Sequence, residues 1–135
     1  MSNMKFPRQE IVERVRKEYP AGTRVCLRKM DDVQSPPIGT FGTVTGVDDT
    51  ASLLMVWDNG SHLNVIYDED EVDKVVVTTV CYGQKQEWTN RADAILFFRQ
   101  GVVECDTGSS ECSRYMKIFA ELLMGKTLCT DEEDT

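Results

Sequence analysis

Residues 38–49, IGTFGTVTGVDD, and residues 53–67, LLMVWDNGSHLNVIY, decide the fold. They read as three short strands joined by tight turns. Phe41, Val44 and Val47 mark the first strand; Leu54 and Val56, with Met55 and Trp57 beside them, mark the second; Leu63, Val65 and Tyr67 mark the third. Asp58-Asn59-Gly60 is a hairpin signal, because Asn and Gly accept the positive φ of a turn that matches strand twist. The stretch predicts a small antiparallel barrel or curled sheet.

Upstream, Thr23–Met30 alternates, with Val25 and Leu27 on one face and Arg24, Cys26 and Arg28 on the other, which is the period of a half-buried strand. Ile11, Val12, Val15 and Tyr19 recur at helical spacing, so a helix is expected over Pro7–Tyr19, stopped by Pro20. Met30–Pro37 is a polar loop stiffened by two prolines. Downstream, Asp68–Glu71 makes a charged corner or a single helical turn. The β-branched run Val75–Cys81 reads as a buried strand that closes the barrel. After it come a turn at Tyr82–Lys85, a returning strand at Gln86–Trp88, and a helix over Asn90–Val103 capped by Thr89. The apolar side of that helix is Ala92, Ile95, Leu96, Phe98 and Val102. A last helix, capped by Ser109 or Ser110, runs to Met124 with Cys112, Tyr115, Met116, Phe119, Leu122 and Leu123 inward, and Gly125 ends it. The tail Asp131–Asp134 is expected to be mobile. The reading is therefore α+β: residues 1–77 form an N-terminal helix and a small antiparallel β-barrel or curled sheet, and residues 78–135 a strand turn and two-helix subdomain.

With 41% hydrophobic residues, 135 residues suffice for a packed core. No apolar run approaches the ~18 residues of a membrane span. Met1–Lys5 is polar and short for a secretion signal, so a cytoplasmic location is expected. The five cysteines are irregularly spaced (Cys105 and Cys112 stand seven apart), with no Cys-x-x-Cys. His62 is the only histidine, which excludes a two-histidine zinc finger. Reduced thiols, no metal and no cofactor are expected.

No catalytic grouping is visible. His62 follows a turn, and the pairs Asp31-Asp32 and Asp48-Asp49 are sequence neighbours whose side chains diverge in a strand. Gly39, Gly42 and Gly46 precede no helix that would cradle a phosphate. The chain is expected not to be an enzyme.

Charge is more informative. The net is −8, unevenly distributed: residues 5–29 carry eight Lys or Arg against three Asp or Glu, whereas residues 30–77 carry ten acids against Lys74 alone. A phosphate backbone needs clustered positive charge, so direct nucleic-acid binding is disfavoured. A protein with a basic surface is the better electrostatic match. The expected contact residues are Asp31, Asp32, Asp48, Asp49, Trp57, Asp58 and Tyr67, with Trp57 required to be partly exposed.

The blocks Tyr19–Val25, Met30–Asp32, Pro36–Thr40, Gly42–Val44, Val47–Asp49 and Val56–Gly60 resemble the domain-of-unknown-function family numbered 4314, over about residues 19–75. Such domains occur in accessory proteins of phages and conjugative elements of Gram-positive bacteria. The resemblance implies an SH3-like barrel and a mobile-element origin; it transfers no activity and no site residue. The expected function is a non-enzymatic accessory protein that binds and modulates a host or element protein through its acidic face. The alternative is an acidic nucleic-acid mimic that inhibits a host nuclease, in the manner of anti-CRISPR proteins.

Overall fold

The computed structural model describes residues 8–132. The chain divides into two compact units, Met1–Lys74 and Val75–Thr135. The class is α+β, with three helices and two sheets among the described residues.

The first unit has helix α1 (Gln9–Glu18) and strands β1 (Arg24–Lys29), β2 (Phe41–Val47), β3 (Leu53–Trp57) and β4 (Glu71–Lys74). Its sheet is ordered β3-β2-β1-β4 and is antiparallel throughout. Val12 and Val15 of α1 join Val25, Leu27, Val44, Leu53, Met55, Trp57 and Val65 in one core. Helical and two-residue periods thus converge on a single apolar cluster. Pro7 and the Met1–Lys5 segment lie outside the described residues.

Three expectations are corrected here. The inward face of β3 is Leu53, Met55 and Trp57, while Leu54 is half-buried and Val56 exposed. An unbroken apolar run carries no alternation from which the face could be read. The third strand of the opening stretch is reduced to one bridge, Leu53 to Val65. Side chains fix the rest of it: the Trp57 indole N–H donates to the Leu63 carbonyl at 2.7 Å, and the Met55 N–H donates to Asn64 Oδ1 at 3.2 Å. The sheet position expected for Val75–Cys81 is taken by β4, which pairs with β1.

The second unit has β5 (Val77–Cys81), β6 (Gln84–Trp88), α2 (Arg91–Glu104), α3 (Ser110–Leu123) and β7 (Leu128–Thr130). Its sheet is ordered β6-β5-β7, with β5 and β7 parallel. Val77, Ala94, Phe98, Ile118, Leu122 and Cys129 form its core. Asn90, not Thr89, caps α2, accepting the Asp93 N–H; Ser109 caps α3, accepting the Cys112 N–H. Leu96, Met116 and Leu123, expected inward, are exposed. The helices pack through narrower stripes than their apolar content offers. The tail is corrected too: β7 pairs with β5, and the Asp131 side chain is fully buried. Glu133 and Asp134 lie outside the described residues.

Candidate functional site

One turn of chain after Val65 builds an acidic surface of the first unit. The Glu69 and Asp70 N–H groups both donate to the Ile66 carbonyl, at 3.2 and 3.0 Å, and Asp70 Oδ2 accepts the Ile66 N–H at 2.7 Å. The turn is closed by Asp68 at φ +66°, a left-handed conformation that Asp adopts more readily than most residues. The Tyr67 N–H reaches Ser52 Oγ at 3.3 Å and ties the turn to the start of β3.

These constraints line up a groove of about 370 Å³ between this turn, β4 and the C-terminal half of α1. Its apolar wall includes Val15, Leu53, Val65, Val72, Tyr19 and Tyr67; Glu18, Asp68, Asp70, Glu71 and Asp73 supply carboxylates against Arg14 and Arg28. Arg28 pairs with Asp73 on the exposed surface, and Lys29 approaches Glu71 at 3.8 Å. Exposed pairs of this kind contribute little to stability, and the five carboxylates of the groove outnumber its two guanidinium groups. Burial first, then the charges of Glu18 and Asp73, push the Tyr19 phenol above its ordinary value. A second groove of about 260 Å³ is lined by Met30, Asp31, Asp32, Leu63, Asn64 and Glu69, and shares Ile66 and Asp70 with the first. The two are therefore one continuous acidic surface.

The expected contact residues divide. Asp31 and Asp32 line the smaller groove and Tyr67 the larger. Asp48, Asp49 and Asp58 line neither. Asp58 holds the Arg24 guanidinium in a fork at 2.8 and 2.6 Å, and Asp49 accepts from Arg16 at 3.0 Å. Trp57 is a correction: at 1% exposure it is core, because in so small a sheet the largest apolar side chain fills the centre. Asp68, Asp70, Glu71, Asp73 and Glu18 were not anticipated at the site. The acid run 68–71 was the available signal, but an irregular turn has no period from which a face can be read.

Asp48 is structural. Its Oδ1 accepts the Thr50 N–H, the Thr50 hydroxyl and the Ser52 N–H at 2.9, 2.6 and 3.0 Å, organising the β2–β3 turn in which Ala51 has φ +63°. Burial alone would raise the Asp48 carboxyl; the three hydrogen bonds and the Arg16 charge hold it below the usual carboxylate range. Asp48→Ala is expected to cost the first unit about 1–3 kcal/mol, and Asp49→Ala less than about 0.5 kcal/mol. Urea unfolding of the two variants distinguishes them; equal costs would contradict these roles.

His62 is exposed, and no cluster of three or more metal-ligating side chains occurs among the described residues. No helix among them is long and apolar enough to cross a membrane. The sequence model of a domain of unknown function, DUF4314, matches residues 8–75. No curated protein and no solved structure matches the chain.

Proposed function

The chain belongs to the DUF4314 family, and from that premise we propose that its first unit is an SH3-like barrel acting as a non-enzymatic binding module, which takes a basic protein surface into its acidic groove. The observation that carries this reading is the continuity of carboxylates from Asp31 and Asp32 through Glu69 and Asp70 to Asp73, beside an apolar wall. Carboxylates accelerate encounter with a cationic partner and fix its register. The apolar wall gives Lys or Arg stems a surface to cover, so the heads can pair while the stems leave water. The partner class is a host or element protein with clustered Lys and Arg, and the setting is that of a mobile-element accessory protein.

A second reading, mimicry of a nucleic-acid backbone to inhibit a host nuclease, draws on the spread of the carboxylates over two adjoining grooves rather than around one point. Competition by duplex DNA for the captured partner favours it.

The experiment compares the protein with an Asp31→Lys, Glu69→Lys, Glu71→Lys variant, whose three native side chains make no hydrogen bond among the described residues. A control carries the same charge change on the second unit: Glu104→Lys, Asp106→Lys, Glu132→Lys. Affinity capture from host lysate should weaken at least about tenfold in the first variant and persist in the control, with capture falling as salt rises. Equal capture by all three proteins, or capture indifferent to salt, refutes the proposal.

A further inference from the structure

The α2–α3 hairpin brings two thiols together. A Cβ at Gly101 would stand 3.1 Å from the Tyr115 ring, so α2 and α3 are in close contact where these residues face each other. One helical turn nearer the connection, the same facing stripes carry Cys105 and Cys112, since residues three and four apart share a helix face. Cys105 is the C-cap of α2 and Cys112 lies in the first turn of α3, held there by its N–H bond to Ser109 Oγ at 3.0 Å. The Cys105 thiol points to the Val102 carbonyl at 3.3 Å, and the Cys112 thiol is near enough to raise its pKa. Cys105 is half-buried and Cys112 buried, and neither is in a disulfide.

We propose that Cys105 and Cys112 are an oxidation site, at which a hydroperoxide joins their sulfurs in an intramolecular disulfide across the α2–α3 connection. One thiolate attacks a peroxide oxygen, forming a sulfenic acid as the O–O bond breaks and water or an alcohol departs. The second sulfur then displaces the sulfenic oxygen as water. Two thiols lose two electrons and two protons, and one peroxide is reduced. Burial and the neighbouring Cys112 thiol push the Cys105 thiol up to about 11. Little thiolate is present at neutral pH, so the reaction accelerates as pH rises.

The test treats the native protein with hydrogen peroxide, then alkylates and digests it. Trypsin releases residues 100–114, which contain both cysteines. That peptide should lose two hydrogens and resist alkylation. Cleavage after Glu104 and Glu111 should leave its halves joined. Reactive thiols should fall from five to three, faster at pH 9 than at pH 7. Cys105→Ser or Cys112→Ser should abolish the change and Cys81→Ser should not. Peptide 100–114 recovered with both cysteines alkylated after the other thiols have reacted, or a bridge to Cys81 or Cys129 instead, overturns the proposal.

Discussion

Gly42→Ala is expected to destabilise the first unit by about 2–3 kcal/mol, the range of an overpacked core. Gly42 lies opposite Trp57 in the β2–β3 register. A Cβ there would stand 2.5 Å from Trp57 Cε3 and 3.0 Å from Cδ2. The ring cannot yield cheaply, since it is enclosed by the core and its indole N–H is held by the Leu63 carbonyl. Moving it would break that bond and detach the segment that leads to the acidic turn. Trp57→Ala leaves a cavity instead and should cost about 3–5 kcal/mol. The double variant should cost less than the sum, because the added methyl then fills part of the space vacated by the ring. Urea unfolding followed by far-ultraviolet circular dichroism, which needs no tryptophan reporter, measures all three. Strict additivity, or Gly42→Ala unchanged within about 0.5 kcal/mol, would mean that the glycine and the ring do not meet.

The second large effect is expected at Asp131. Its Oδ2 accepts the Tyr82 N–H and an Arg114 N–H, each at 2.8 Å. Oδ1 is buried and has no hydrogen-bond partner among the described residues. Tyr82 and Gly83 form the two-residue β5–β6 turn, both at positive φ, and the Arg114 guanidinium lies 4.6 Å over the Tyr82 ring. Asp131 therefore fixes a strained turn, a cation and the end of β7 at once. Asp131→Ala orphans the Tyr82 N–H and should cost the second unit about 2–4 kcal/mol.

The same carboxylate makes this unit acid-labile. Burial would raise Asp131, but the Tyr82 N–H and Arg114 hold it below the usual range. Burial would also raise Glu121, and the Thr130 N–H, Lys117 and Lys126 lower it instead. A carboxyl depressed in the folded state adds stability above its unfolded value, about 4, and loses it as pH falls through the folded value. Melting of the second unit, followed through Trp88 in a Trp57→Phe background, should be flat from pH 7 to 5 and fall steeply toward pH 3. The fall should be shallower in Asp131→Ala. An equally steep fall in both proteins would remove Asp131 from the account.

Much of this was legible locally. Val25 and Leu27 alternate with polar neighbours and are buried in β1, and the Ile11–Tyr19 spacing places Val12 and Val15 in the core. Ser109 and Gly125 bound α3 as cap and stop, Gly125 at φ +86°. The acidic bias of residues 30–77 was also plain. Four of the seven expected contact residues were not: Asp48 holds a turn, Asp49 and Asp58 sit in ion pairs and Trp57 is core, while Asp68, Asp70, Glu71 and Asp73 gather with Tyr67 in the groove.

By itself the sequence determined the α+β class, most of the helices and strands, and the sign of the charge, because period, caps and composition are properties of neighbouring residues. Only the tertiary structure decided that Leu53, Met55 and Trp57 face inward, that Glu71–Lys74 and not Val75–Cys81 pairs with β1, and that Asp131 is buried. Those outcomes depend on which distant segment supplies a hydrogen-bond partner or a cavity of matching volume, and no local pattern encodes that choice.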